Sequence, residues 1–144
     1  RADALKLWVA FQRHGAEGLG ALYAHLCDTT ARLHARLVAH PRLAPVHVPE
    51  SNILCFRWTG EAGAPDGAAL DDAALDDAAL DALQPRLRAR YNASGAGWIT
   101  ATTLGGQRVL RVTIMNPRTD DAALDRLVDG VDAAGRALAG AARV

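Results

Sequence analysis

Lysine is almost missing from this 144-residue sequence: Lys6 stands alone, and the other basic residues are arginines. Any imine-forming role therefore has a single candidate. Cysteine is nearly as scarce, with only Cys27 and Cys55. A disulfide scaffold normally carries four or more, so a reduced chain is expected. Aromatic residues make up 5% of the sequence, which leaves the core to leucine, alanine and valine within a hydrophobic content of 50%. Excess charge is also lacking, since 16 basic residues balance 16 acidic ones. A neutral chain without a basic stripe is not built to bind nucleic acid. No apolar run reaches the roughly 18 residues of a membrane span. The opening RADALKLWVAFQRH has neither the apolar stretch nor the cleavage site of a secretory signal, so the expected compartment is the cytoplasm.

Local chemical motifs are sparse too. His14, His25, His34, His40 and His47 form no i, i+3 or i, i+4 pair, and neither CxxC nor HExxH occurs, so no metal site is expected. Gly105-Gly106 is not part of a phosphate loop, and Asn92-Ala93-Ser94 matches a glycosylation acceptor in a chain with no secretory signature. Neither cysteine sits in a nucleophile motif; burial among leucines accounts for both.

What is present reads as one domain, residues 1–144. The first 40 residues predict two helices. One runs over Ala2 to His14 and stops at Gly15; the other runs from about Glu17 to His40 on a stripe of Leu19, Leu22, Leu26, Leu33 and Leu37, ended by Pro41. Extended pieces follow at Pro45 to Val48 and Asn52 to Trp58. The pentamer DDAAL then recurs. Five steps of a helix turn it by roughly 140°, so Leu70, Leu75 and Leu80 share no face, and the span 61–80 reads as a low-complexity insertion, mobile or weakly helical. A better helical face is Leu80, Leu83, Leu87 and Tyr91, with Pro85 in its first turn or at a kink. A last helix follows Asn116-Pro117, with Thr119 as its N-cap and Leu124, Leu127, Val128, Val131 and Leu138 as its stripe.

The sharpest local signal is a β-hairpin. Trp98 to Leu104 and Gln107 to Met115 flank Gly105-Gly106, a pair suited to the positive φ angles of a two-residue turn. That register sets Leu104 against Gln107, Thr102 against Val109 and Thr100 against Arg111. Alternation then puts Ile99, Ala101, Leu110, Val112 and Ile114 on one face. The other face carries Trp98, Thr100, Thr102, Val109, Arg111 and Thr113. The fold class is therefore α+β, a small antiparallel sheet with helices packed on one face. Arg111 lies at the middle of the polar face. On pattern alone it is either a solvated arginine on an open sheet or an anion anchor holding a carboxylate through two parallel hydrogen bonds.

Four segments in order resemble one family. RADALKLWVAFQRHGAEGL, Ile53-Leu54-Cys55-Phe56-Arg57, GWITATTLGG and Leu110 to Pro117 (LRVTIMNP) are similar to the C-terminal small domain of the group II pyridoxal-phosphate-dependent amino-acid decarboxylases, the aromatic-amino-acid, glutamate and diaminobutyrate enzymes among them. The likeness covers most of the chain outside the DDAAL repeat. It implies the C-terminal domain of a fold-type I enzyme, with pyridoxal 5'-phosphate held mainly by a large upstream domain that is not part of this sequence. It also implies a homodimer in the full-length enzyme and a small amino-acid substrate. The cofactor ring serves such enzymes as an electron sink when the Cα–carboxylate bond breaks. Lys6 lies in ALKLW, which is not the family's cofactor-lysine motif, so no catalytic or cofactor-binding residue carries over and the piece alone is expected to be inactive. The arginine of the LRxxxxNP strand, which binds the substrate carboxylate in relatives, matches Arg111. The alternative is a stand-alone α+β ligand-binding or interaction module; exposed Trp8 and Phe11 on the first helix would argue for a missing packing partner instead.

Overall fold

The computed structural model describes residues 3–60 and 77–141, so most of the DDAAL repeat lies outside the described residues. The elements follow the order α1 (Asp3–Val38), β1 (Leu43–Pro45), β2 (Ile53–Trp58), α2 (Asp77–Ala93), β3 (Thr100–Leu104), β4 (Gln107–Thr113) and α3 (Asp121–Ala141). Gly15 breaks α1 with φ 65° and ψ 177°, a conformation outside the helical region that glycine adopts at no steric cost. The two N-terminal helices expected from the sequence are thus two helical stretches that meet at Gly15, the predicted stop.

Four strands make one antiparallel sheet in the order β1-β2-β4-β3. The hairpin has the predicted register, Leu104 to Gln107 through Thr100 to Arg111, and Gly105 and Gly106 take φ 58° and 84°. Pro45, which cannot donate to a ladder, ends the edge strand β1. Side chains take over where backbone pairing stops. The Gln84 carboxamide donates to the Trp58 carbonyl at 2.9 Å and accepts the Trp58 N–H at 3.1 Å. Asn92 treats Ile99 the same way, at 2.9 and 3.0 Å, which gives the Asn92-Ala93-Ser94 tripeptide a structural role. His47 Nε2 accepts the Cys55 N–H at 3.1 Å while Nδ1–H donates to the Val48 carbonyl, the neutral Nδ1–H tautomer.

The helices cover the face carrying Leu54, Phe56, Trp58, Ile99, Leu110, Val112 and Ile114. They contribute Leu26, Leu33 and Leu37 from α1, Leu83, Leu87 and Tyr91 from α2, and Leu124, Val128 and Val131 from α3. Three expectations need correction. The α1 stripe starts later than predicted, because Leu22 is exposed and Leu19 only half-buried. Pro85 lies inside α2 rather than in its first turn, since Asp77–Ala79, ahead of Leu80, are already helical. The cap of α3 is Asp120, not Thr119: the Asp120 carboxylate accepts the Ala123 N–H at 2.8 Å, while the Thr119 N–H closes a turn onto the Asn116 carbonyl.

One buried carboxylate ties the layers together. Asp132 on α3 is 4% exposed. Arg42, just before β1, holds it with two hydrogen bonds of 2.7 Å; Trp58 Nε1–H of β2 donates at 3.1 Å and Arg136 Nε at 3.0 Å. These bonds, the Arg42 fork first, hold its carboxyl down at about 2 although burial opposes ionisation. One turn on, Gly135 lies flat against the Trp58 indole, which a Cβ there would overlap. On the surface, Arg32 and Arg36 of α1 bridge to Asp121 and Asp125 of α3 at 2.7–2.8 Å, worth little per exposed pair.

Two measurements check this arrangement. Because the folded carboxyl titrates below its unfolded value of 3.8, Asp132 contributes stability that is complete above 3.8 and lost as pH falls through about 2, worth about 2 kcal/mol. Asp132→Asn is expected to cost about 3 kcal/mol at neutral pH and to flatten that acid limb in urea titrations at each pH. Gly135→Ala is expected to lower the urea midpoint by the equivalent of ~1–3 kcal/mol with an unchanged m-value.

Candidate functional site

The sheet face turned away from the helix layer carries Ile53, Cys55 and Arg57 of β2, Val109, Arg111 and Thr113 of β4, and Thr100 and Thr102 of β3. Its two ends differ. At one end the face is covered. Arg57 is buried against Asp81 of α2 at 2.8 Å, with Asp77 at 3.7 Å, and the same Asp81 oxygen accepts the Arg108 N–H at 3.0 Å. Continuing the β2–β4 register by one residue sets Arg57 beside Val109, which is fully buried. The polar face is therefore not open along its whole length: Val109 is buried beside the ion-paired Arg57.

At the other end the face is open at Arg111, with Cys55 buried beside it. Cys55, Arg111 and Thr100 form a row across β2, β4 and β3 as direct strand partners. Arg111 is exposed, whereas its flanking residues Leu110 and Val112 are buried on the helix side. Its guanidinium is fastened at one corner: Nε–H donates to Thr100 Oγ1 at 3.3 Å, and the Thr100 hydroxyl donates to the Arg111 carbonyl at 3.1 Å. Among the described residues no carboxylate lies within ion-pair distance of it. Burial pushes the Cys55 thiol up, against the pull of the Arg111 charge, so the sulfur stays neutral beside the cation. Trp98, 76% exposed, together with exposed Met115 and Ile53, supplies apolar surface at the same end. A cation in the strand with no partner for either Nη group among the described residues, and with apolar surface at the same end of the sheet, suits a small carboxylate ligand.

The other candidates from the sequence are placed elsewhere. Cys27 and Cys55 are both free thiols. His25 Nε2 donates to the Pro117 carbonyl at 3.1 Å, clasping the Asn116-Pro117 turn to α1. No cluster of three or more histidine, cysteine or acidic side chains among the described residues could hold a metal ion. No helix among them is long and apolar enough to cross a membrane. Lys6 is exposed on the first turns of α1 and paired with Asp3 at 3.2 Å. With its one lysine there, the chain's own residues do not fit the covalent seat of pyridoxal phosphate. Around Lys6 the helix exposes Leu5, Leu7, Trp8, Val9 and Phe11, with Trp8 at 59% and Phe11 at 47%. Sequence reasoning passed over Thr100 as a partner of Arg111, although the hairpin register already set the two side by side.

No family model matches the chain. L-2,4-diaminobutyrate decarboxylase of Rhizobium meliloti (strain 1021) is 28% identical over 141 residues, covering 96% of this chain. The chain spans only 25% of that relative's length. Among solved structures, the glutamate decarboxylase domain of diaminobutyrate-pyruvate transaminase and L-2,4-diaminobutyrate decarboxylase from Vibrio parahaemolyticus aligns with a TM-score of 0.73 at 23% identity, over 92% of this chain and 26% of its own. Oryza sativa TDC, solved with PLP and tryptamine, aligns with a TM-score of 0.75 at 20% identity, over 93% and 26%. The resemblance carried by the four sequence segments is thus borne out by a relative named as a decarboxylase. The α+β fold is that of a segment making up about a quarter of such chains.

Proposed function

We propose that this chain is the small C-terminal domain of a pyridoxal-phosphate-dependent L-amino-acid decarboxylase, and that Arg111 binds the carboxylate of the amino acid. The observation that carries the reading is the exposed Arg111 guanidinium, whose Nη groups have no partner among the described residues, at the position the LRxxxxNP resemblance assigns to carboxylate binding. A planar fork accepts a carboxylate through two parallel N–H···O bonds and so fixes its direction as well as its place. Holding the carboxylate in one orientation selects which bond at Cα is aligned for cleavage, an entropic contribution that Arg111 makes without touching a proton. The cofactor and its lysine belong to a large domain outside this sequence, so the 144 residues have no catalytic centre of their own.

The exposed arm supports the same reading. Leu5, Leu7, Trp8, Val9 and Phe11 are surface that a lone soluble domain gains nothing by showing to water, and a large domain or second subunit would cover it. In the full-length enzyme we assign these surfaces to the large domain and to a homodimer, working in the cytoplasm. The rival, a stand-alone binding module, draws support from the self-contained hydrophobic core. Reading the coding region upstream of Arg1 separates the two. A large domain with the histidine–lysine cofactor motif is expected there, and a start codon at or just before Arg1 would hand the lead to the module.

In the full-length polypeptide, Arg111→Ala is expected to lower kcat/KM at least tenfold while the bound-cofactor absorbance is unchanged. Wild-type kinetics would make Arg111 a solvated sheet residue. Titration of the 144-residue chain with pyridoxal phosphate is expected to give weak, unsaturated binding; a stable absorbance band arising from Lys6 would defeat the fragment reading.

A further inference from the structure

We propose that Thr100 is the positioning residue of Arg111 and that, through it, the site takes its carboxylate end-on, along the Nη1–Nη2 edge. This rests on the carboxylate-anchor reading above and adds the direction of approach. An arginine offers a carboxylate two paired edges, the side-on edge of Nε and one Nη, and the end-on edge of both Nη groups. In this chain the side-on edge is occupied: Nε–H is spent on Thr100 Oγ1 at 3.3 Å. The same hydroxyl donates its proton to the Arg111 carbonyl at 3.1 Å, which turns an oxygen lone pair toward Nε. Both bonds are possible because Thr100 and Arg111 are direct partners in the β3–β4 ladder, at the fifth rung from the Gly105-Gly106 turn. The cross-strand neighbour on the other side, Cys55, has no side-chain oxygen to offer.

A long arginine side chain on an open sheet loses much rotamer freedom when it is held in one geometry. Thr100 makes part of that restriction before a ligand arrives, so less remains to be lost on binding. Valine has the shape and strand preference of threonine but no hydroxyl, whereas serine keeps the hydroxyl.

The test uses the full-length enzyme and compares wild type, Thr100→Val, Thr100→Ser and Arg111→Ala. Thr100→Val is expected to raise KM for the amino acid about three- to tenfold with kcat within about twofold, and Thr100→Ser to restore it. Inhibition by the amine product, which has lost the carboxylate, is expected to be equal in wild type and Thr100→Val. If Thr100→Val behaves as wild type while Arg111→Ala is impaired, the positioning role is wrong and the anchor reading stands. If amine inhibition weakens in step with KM, Thr100 only supports the fold. If Arg111→Ala is itself unimpaired, the anchor reading falls and this inference falls with it.

Discussion

The buried carboxylate of Asp132 is the constraint from which the rest of the molecule is hung. An isolated charge under the helix layer would be too costly to keep ionised. Arg42, Trp58 and Arg136 surround it with four donors, and those donors come from three separate places in the chain. Satisfying one carboxylate therefore fixes α3 against the entrance to β1 and the end of β2 together. Trp58, held by its indole N–H, lies over the flat surface of Gly135, and its backbone is clamped from the other side by Gln84 of α2. The position of β2 follows, and through the β2–β4 register so does that of Arg111.

A second theme is the use of side chains as substitute strands. Gln84, Asn92 and His47 each supply hydrogen bonds a neighbouring strand would otherwise make, and the Asn52 side-chain amide donates to the Ile114 carbonyl beside the backbone bond from the Ile114 N–H to the Asn52 main-chain carbonyl. A four-stranded sheet with short strands exposes many backbone groups at its ends, and each left unpaired in a buried place would be a direct loss. Two of these amides sit on α2, so pairing the sheet and docking the helix are the same event. That coupling explains why α2 tolerates Pro85. The proline forfeits a helical hydrogen bond and strains the turn before it, while Leu83, Leu87 and Tyr91 keep the helix on the core.

The surface is divided in a way that suits a part rather than a whole. One sheet face is packed by three helices; the other is closed at the Arg57 end and open at the Arg111 end. The kinked arm of α1 carries its apolar residues away from the core. Neutral net charge leaves no long-range field to draw a polyanion, so the useful cation is a local one, set in a row with a hydroxyl and a neutral thiol. This division is compatible with a domain whose open face and arm are covered by more of the same protein, and with Arg111 and Thr100 acting at that boundary.

The sequence by itself determined the hairpin, its register, the two faces it creates and hence the place of Arg111. Two consecutive glycines in a turn and a two-residue alternation act over a handful of residues, so nothing distant is needed to read them. It also determined the break at Gly15 and the C-terminal end of α1 to within two residues. What only the tertiary structure decided depends on groups far apart in the chain. Asp132 reads as one more acidic residue on a helix until Arg42 and Trp58 arrive 90 and 74 residues away. Val109 reads as a member of an open face until Arg57 and α2 close over its end. Thr119 and Asp120 are both good caps in isolation, and the choice between them followed the turn that Asn116 makes with the Thr119 N–H. Burial, not local preference, gives a polar group its energy, and burial is a property of the assembled fold.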